Sequence, residues 1–148
     1  MIFSRRKPLI RRLLIVEDEP LVAFDNEHFL TAAGYEVLAT VDNAEDAIAA
    51  LSGETDLVVL DLNIAGEGSG IDVAKAARDK GIPVVFVTGA CPHHAKGYAL
   101  GCLAKPYRDK DLIATIKALD RVIAGEEPGK LPDALTLFAA EEANEASD

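Results

Sequence analysis

The chain is poor in long apolar runs and in cysteine, and each shortage excludes a class of protein. No stretch approaches the roughly 20 apolar residues that a membrane-spanning helix needs, so no membrane span is expected. The apolar run at residues 13–16 is too short for an export signal. The two cysteines, Cys91 and Cys102, match no metal-binding spacing. We therefore expect a cytoplasmic protein in which both thiols are reduced.

Basic residues are scarce in the body of the chain. The net charge of the whole chain is −10. Residues 1–12 hold five bases and no acid, and residues 126–148 hold seven acids and one base. An acidic body argues against nucleic acid as a direct partner, because affinity for the phosphate backbone needs a positive surface. We interpret residues 1–10 as a solubilising basic extension rather than a contact for nucleic acid or lipid. Residues 126–148 are expected to form an acidic, solvated or partly docked tail, with a helical turn or two at most near 135–140.

Short apolar runs alternate with segments of helical periodicity, which is the pattern of βα units around a parallel sheet. The length of 148 residues suits a single domain. Five units are expected within residues 11–125, giving an α/β fold with a doubly wound, five-stranded parallel sheet. The strands lie near 13–16, 37–41, 57–60, 84–87 and 103. The helices begin near Pro20, Asn43, Ile71, Pro92 and Asp109, and the one after Pro92 has the weakest helical pattern.

Polar residues follow four of these strands directly. They are Glu17 and Asp18, Asp61 and Asn63, Thr88, and Lys105. Ligands bind in the crevice outside the carboxyl ends of the strands in an open α/β sheet, so these side chains are expected to form one site.

The residue types at this site suit phosphoryl transfer. Glu17, Asp18 and Asp61 would repel one another unless a hard cation such as Mg²⁺ neutralised them. Asp61 could then accept a phosphoryl group, since aspartyl phosphate is a known covalent intermediate. Lys105 would neutralise charge on the phosphoryl oxygens, and Thr88 offers a hydroxyl. Taken singly, the acidic pair could instead cap a helix and Asp61 could be a turn residue; the joint placement favours the site.

The motifs LLIVEDEP, VVLDLN, FVTG and LAKPY resemble those of response-regulator receiver domains, the phosphoacceptor modules of two-component signalling. The resemblance covers about residues 11–125 and implies a flavodoxin-like (CheY-like) fold with strand order 2-1-3-4-5. It implies Mg²⁺ held by Asp18, Asp61 and the backbone carbonyl of Asn63, with Glu17 beside them. It also implies phosphorylation of Asp61, a switch role for Thr88 and a cis peptide bond between Lys105 and Pro106.

The same resemblance implies a bacterial cytoplasmic protein whose phosphodonor is a histidine kinase or a histidine phosphotransfer protein. Three departures concern the relay away from the site. Cys102 stands where receivers usually carry an aromatic residue, and Ala65 lies in a Gly-rich loop that lacks the usual proline. The stretch PVVFVTGA resembles the FAT GUY group of receivers, which lack the aromatic switch. We expect phosphorylation to remodel residues 89–101, and we expect a downstream protein target to bind the face made by this segment, the fifth strand and the last helix, within residues 89–123.

Several alternatives stay open. The leading interpretation is a stand-alone receiver, because the residues after Gly125 are too few for an output domain. A phosphate sink without an output partner is a second, and a phosphotransferase of the haloacid dehalogenase type is a third. Cys102 is expected to be a small buried apolar residue rather than a redox-sensitive one. His93 and His94 are expected to be exposed loop residues rather than a metal or phosphorelay site. The oligomeric state, including a dimer, stays open.

Overall fold

The computed structural model describes residues 6–64 and 69–138. They form one mixed sheet with helices on both faces, in the order β2-β1-β3-β4-β5-β6. The strands are β1 (Arg12–Val16), β2 (Glu36–Val41), β3 (Leu57–Asp61), β4 (Val84–Thr88), β5 (Gly101–Ala104) and β6 (Leu135–Leu137). The helices are α1 (Pro20–Ala32), α2 (Ala44–Ala50), α3 (Gly70–Asp79), a 3₁₀ helix (His93–Tyr98) and α4 (Asp109–Ile123). None of the described helices is long and apolar enough to cross a membrane.

The first five strands run parallel in the order 2-1-3-4-5, which confirms the flavodoxin-like topology. Strands β3 and β4 are buried throughout, because helices cover both faces of the sheet. The strand order reverses between β1 and β3. After β1 the chain forms β2 on one side of β1, and it then crosses to form β3 on the opposite side of β1. Such a reversal opens a crevice at the carboxyl ends of β1 and β3. Ala65, in the loop after β3, lies outside the described residues.

Two apolar layers, one on each face of the sheet, form the core. Leu14, Val16, Leu60 and Phe86 contribute to one layer together with residues of α2 and α3. Ile15, Val59, Val87, Leu103, Leu112 and Ile116 are among the residues of the other, which α4 covers. The alternation of side chains along each strand divides them between the two layers.

The expectation of five strands is wrong by one strand. Residues 135–137, where a helical turn or two at most is expected, instead form β6, which pairs antiparallel with β5, and the next residue, Phe138, is helical. Leu135 and Phe138 become buried on opposite faces of the sheet, with 7% and 2% of their surface exposed. The burial of these two side chains explains why a three-residue strand forms without an alternating pattern of its own. Residues 139–140 lie outside the described part.

The expectation of two reduced thiols is also wrong, because Cys91 and Cys102 form a disulfide. Their Cα atoms lie 6.0 Å apart, since the chain leaves β4, makes the 3₁₀ helix and returns in the neighbouring strand β5. Cys102 is fully buried, as expected of a small apolar residue. The side chains of His93 and His94 lie outside the described residues.

The helix starts follow the sequence signals, with a one-residue difference at α3. Helix α2 begins next to Asn43, as expected, and the Asn43 side chain caps it by accepting a hydrogen bond from the amide of Asp46 at 2.8 Å. Helix α4 begins at Asp109, as expected; Arg108 occupies its cap position, and the Arg108 amide donates to the Asp111 carboxylate at 3.2 Å. Helix α3 begins one residue earlier than expected, because Ser69 caps it with a reciprocal hydrogen bond to Asp72.

The described part of the N-terminal extension packs on the end of α4. The Asp120 carboxylate accepts hydrogen bonds from the amides of Leu9 and Ile10 at 2.7 and 2.9 Å. Arg6 forms ion pairs with Asp120 at 2.6 Å and with Glu126 at 2.8 Å. The basic arm thus supplies a counter-charge to acidic residues at the carboxyl end of α4.

Candidate functional site

The candidate site lies at the carboxyl ends of four adjacent strands. Glu17 and Asp18 follow β1, Asp61 ends β3, Thr88 ends β4 and Lys105 follows β5. The parallel register aligns these strand ends, pairing Val16 with Leu60, Asp61 with Val87, and Thr88 with Ala104. The structure therefore brings together residues that are up to 88 positions apart in the sequence.

A buried ion-pair network holds the centre of the site. The Lys105 ammonium donates to Oε1 of Glu17 at 2.8 Å and to Oδ2 of Asp61 at 3.0 Å. Glu17 and Asp61 are each only 3% exposed, so both carboxylates have been removed from bulk water. Buried charges are tolerated when they are paired and hydrogen-bonded, and Lys105 supplies that pairing to both acids.

Burial and pairing act on the pKa values of this network in opposite directions. Burial raises the pKa of Glu17 above its ordinary value, and this effect outweighs the hydrogen bond from Lys105, which lowers it. Burial would lower the pKa of Lys105, but its hydrogen bonds to Glu17 and Asp61 dominate and raise it. Lys105 therefore stays charged at neutral pH. Burial disfavours the ionised form of Glu17, and a further cation placed beside this carboxylate would stabilise that form.

The three acids fit a hard divalent cation. One carboxylate oxygen each from Glu17, Asp18 and Asp61 lies within 4.8 Å of the other two. Asp18 is partly exposed, so the cluster is open to solvent on one side. Oxygen ligands of this kind, with room for water, suit Mg²⁺. The cluster could therefore hold such an ion while Lys105 continues to pair with the two buried acids.

Backbone amides fix the two buried carboxylates. The amide of Asn63 donates to Oδ1 of Asp61 at 2.9 Å, and that of Glu19 donates to Oε2 of Glu17 at 3.1 Å. Each of these carboxylates thus uses one oxygen for Lys105 and the other for a backbone amide. The orientation of both acids is set before any ligand arrives.

Thr88 lies beside the acids and is nearly buried, with 2% of its surface exposed. The Asn63 side chain donates to the Thr88 hydroxyl at 3.4 Å, and the Lys105 amide donates to the Thr88 carbonyl at 2.8 Å. The hydroxyl is therefore linked through Asn63 to the loop that follows Asp61. The resemblance implies a role only for the backbone carbonyl of Asn63, and its side-chain contact is an addition.

One pair of residues near the site, Asn26 and Tyr107, is not predicted from the sequence. Asn26 of α1 is 3% exposed and exchanges hydrogen bonds with the Tyr107 hydroxyl, at 3.0 and 3.2 Å. Burial raises the pKa of Tyr107. Tyr107 follows the Lys105-Pro106 peptide bond, which is cis as the resemblance implies. The sequence offers one signal of this pair, which is Asn26, a polar residue on the buried face of α1.

Comparison with known proteins identifies the family. The model of the response regulator receiver domain matches residues 13–117. The transcriptional regulatory protein CusR of Escherichia coli K12 is 34% identical over 118 residues, covering 74% of this chain and 51% of the relative. The transcriptional regulatory protein DltR of Streptococcus agalactiae (strain NEM316) is 33% identical over 117 residues, covering 74% and 52%. The chain thus spans about half the length of these relatives.

Solved structures agree with this assignment. The response regulator protein TrrA of Thermotoga maritima, solved with Mg²⁺ and BeF, is 30% identical with a TM-score of 0.64, covering 74% of this chain and 99% of that one. A CheY-like receiver domain protein of Methanospirillum hungatei shares the fold with a TM-score of 0.68 at 23% identity, covering 78% and 98%. The family model, the relatives and the fold agree, and the chain belongs to the response regulator receiver domains, which are signalling domains of two-component systems.

Proposed function

We propose that Asp61 accepts a phosphoryl group from a histidine kinase or a histidine phosphotransfer protein, and that the phosphorylated form signals by protein contact. The observation that carries this proposal is the Lys105 ammonium, which bridges Glu17 and Asp61 at 2.8 and 3.0 Å in a buried network. A cation already in contact with the acceptor carboxylate is placed to neutralise the charge that a phosphoryl group brings.

In the proposed transfer, a carboxylate oxygen of Asp61 forms a bond to phosphorus as the bond from phosphorus to the donor's imidazole nitrogen breaks. The nitrogen leaves with the electron pair of that bond, and no redox change occurs. Such transfers depend mainly on positioning and on neutralising the equatorial oxygens. The Asn63 amide, at 2.9 Å, holds the Asp61 carboxylate in place, while Lys105 supplies positive charge. The receiver would thus catalyse only its own phosphorylation and hydrolysis.

Mg²⁺ is the proposed cofactor. Glu17, Asp18 and Asp61 would hold the ion, with the Asn63 backbone carbonyl as a further ligand. When bound, it would neutralise negative charge on phosphoryl oxygens. The raised pKa of Glu17 supports this role, because a nearby cation favours the ionised carboxylate that burial disfavours. The similar protein TrrA was solved with Mg²⁺ together with BeF, a phosphoryl mimic.

The phosphodonor is proposed to cover the first turns of α1. Leu21 and Phe24 are 81% and 69% exposed, although both are large apolar side chains. They are three residues apart on one helix and therefore share a face, which lies just after Glu19 at the rim of the site. A donor histidine that reaches Asp61 must bring its protein against this rim. Exposed apolar residues there favour a protein contact.

The output surface is proposed to lie within residues 89–123. Phosphorylation adds about −1.5 to −2 charge and three acceptor oxygens. These oxygens would draw the Thr88 hydroxyl away from Asn63 and would engage Lys105 more strongly. Both residues adjoin the segment between β4 and β5, so a shift at the site is transmitted first to that segment.

Labelling with radioactive acetyl phosphate, a small phosphodonor, tests the proposal. The wild-type protein should incorporate label only with Mg²⁺, and Asp61→Asn should abolish incorporation. Asp79→Asn is the matched control, because Asp79 is exposed at the carboxyl end of α3, away from the acidic cluster. It should label like the wild type. Equal labelling of Asp61→Asn and wild type would refute the assignment.

A further inference from the structure

The disulfide joins the two segments that carry Thr88 and Lys105. Cys91 lies three residues after Thr88, and Cys102 lies three residues before Lys105. The bond closes a loop, residues 92–101, that contains the 3₁₀ helix. This is the segment that a phosphorylation signal from Thr88 would reach first. The chain has two cysteines, and both are used here.

The two sulfur-bearing residues differ in their surroundings. Cys102 is fully buried in the apolar layer that also contains Phe86 and Phe138. Cys91 is partly exposed and packs against the same layer from the loop side. The bond therefore fastens a surface loop to the core, and a reductant could approach it from the Cys91 side.

A second contact holds the same loop by weaker forces. The ring of Tyr98, at the end of the 3₁₀ helix, lies 4.6 Å from the guanidinium carbon of Arg78 and 5.6 Å from the ammonium of Lys75. Both cations belong to α3 and are exposed, where cation–π contacts contribute about 0.5–1 kcal/mol. Thermal motion can overcome such contacts. The disulfide is therefore a stronger restraint on the loop than the Tyr98 contacts.

We propose that the Cys91–Cys102 pair is a redox-controlled modification site that decides whether the loop can respond to phosphorylation of Asp61. In the oxidised form the disulfide holds residues 92–101 in the described conformation. In the reduced form the loop keeps only non-covalent contacts, among them the Tyr98 ring and the hydrogen bond from the Leu100 amide to the Val84 carbonyl at 2.8 Å, and it reorders when Thr88 moves. This inference rests on the proposed function, because it concerns the response of the loop to a phosphorylated Asp61.

The reductant is a dithiol. One of its thiolates attacks the Cys91 sulfur, the bond between the two cysteine sulfurs breaks, and Cys102 leaves as a thiolate that takes up a proton. The second reductant thiolate then displaces Cys91, which also becomes a thiol. The protein disulfide gains two electrons and two protons, and the dithiol becomes a disulfide. A small-molecule disulfide reverses the reaction by the same exchange. Disulfides in reducing compartments are often of this transient, redox-sensing kind.

Amide hydrogen exchange, read by mass spectrometry, tests the inference on the full chain. Oxidised and dithiothreitol-reduced protein are compared with and without Mg²⁺ and beryllofluoride. In the reduced protein, beryllofluoride should change the exchange rates of residues 92–101 by roughly tenfold or more, because opening no longer works against a closed covalent loop. In the oxidised protein the change should stay below about twofold in the same peptides.

Cys91→Ser is the matched control, since Cys91 is partly exposed and a hydroxyl there can be hydrated. It should respond like reduced wild type whether or not dithiothreitol is present. If this variant unfolds, the wild-type comparison still decides. Equal responses of oxidised and reduced wild type would overturn the inference, as would two free thiols after treatment with oxidised glutathione. Acetyl-phosphate labelling of the same samples separates the causes: absent labelling refutes the proposed function itself, whereas normal labelling with equal loop responses refutes only the redox control.

Discussion

Two regions of the molecule are built in different ways. The first, the rim, consists of Glu17, Asp18, Asp61, Thr88 and Lys105 at the carboxyl ends of the strands. The second, the edge, consists of β5, β6 and the disulfide. At the rim, each charged residue directly follows or ends a strand, and four parallel strands bring them together. At the edge, the arrangement depends on a disulfide, an added antiparallel strand and the burial of Phe138. The rim retains the residues expected of a receiver, while the edge has Cys102 in place of an aromatic. Strand ends therefore position the rim, whereas contacts between distant residues hold the edge.

Replacing Phe138 tests the edge and should change the free energy of unfolding more than the other substitutions. Phe138→Ala removes a ring that is 2% exposed and packs edge-on against Phe86, with ring centroids 6.1 Å apart. Loss of a buried phenylalanine should reduce the free energy of unfolding by about 3–5 kcal/mol. Urea unfolding measures the change. Phe24→Ala, at a 69% exposed ring, should change it by less than about 0.5 kcal/mol. A loss under about 1 kcal/mol for Phe138→Ala would mean that β6 contributes little to the edge.

The next effect tests the rim. Lys105→Gln leaves Glu17 and Asp61 buried without their cation and should lower the free energy of unfolding by about 3 kcal/mol, at the low end for buried pairs because Lys105 is 20% exposed. Added Mg²⁺ should restore part of this loss, because it supplies a replacement charge. Lys110→Gln, at an exposed position in the first turn of α4, is the control. Unchanged stability of Lys105→Gln would show that the network is not a structural restraint.

A smaller effect separates the two regions. Gly101 lies in β5, where an added Cβ would come within 2.6 Å of the Thr136 carbonyl oxygen in β6. Gly101→Ala should displace β6 and cost about 1–3 kcal/mol. Labelling of Asp61 should persist, because Gly101 begins β5 and the rim lies at the carboxyl ends of the strands. Gly53→Ala, where an added Cβ would meet open space, is the control. Loss of labelling in Gly101→Ala would mean that rim and edge are coupled even in their chemistry.

The smallest effect concerns the ion pair between Arg6 and Glu126, which lies away from both regions, and it is a change in the pKa of Glu126. The hydrogen bond from Arg6 lowers the pKa of Glu126. A lowered carboxyl pKa contributes stability above the ordinary pKa, and that stability is lost as the pH falls through the folded-state value. In Arg6→Gln, the Glu126 pKa should return towards its ordinary value in a titration of carboxyl carbons by NMR. Arg108→Gln should leave it unchanged, and an unaltered pKa in Arg6→Gln would show that the contact is absent in solution.

The rim can be predicted from the sequence because its information is local. The run that forms β3 ends at Asp61, and the run that forms β4 ends at Thr88, so finding the strands also locates the side chains. The strand order requires the resemblance, since apolar runs do not say which strands are neighbours. The Asn26–Tyr107 pair escapes prediction because the two residues are 81 positions apart.

The edge cannot be predicted because its contacts are distant and its pattern is weak. β6 has three residues, and Leu135 and Phe138 become buried only when β5 and Phe86 are already in place. The expectation of reduced thiols rests on cellular compartment, whereas geometry decides the disulfide: neighbouring strands β4 and β5 return Cys102 to within reach of Cys91. The distance between the two cysteines in the fold therefore decides their pairing, and an expectation based on cellular compartment does not.

Of the three clustered acids, we propose Asp61 as the one that takes the phosphoryl group. After treatment with acetyl phosphate and Mg²⁺, borohydride reduces an acyl phosphate to an alcohol, which converts a phosphorylated aspartate to homoserine. Tandem mass spectrometry of the peptides then locates the converted residue. We predict homoserine at Asp61, with Asp18 and Glu17 unmodified. Conversion at Asp18 or Glu17, with Asp61 intact, would show that Asp61 is not the phosphoryl acceptor.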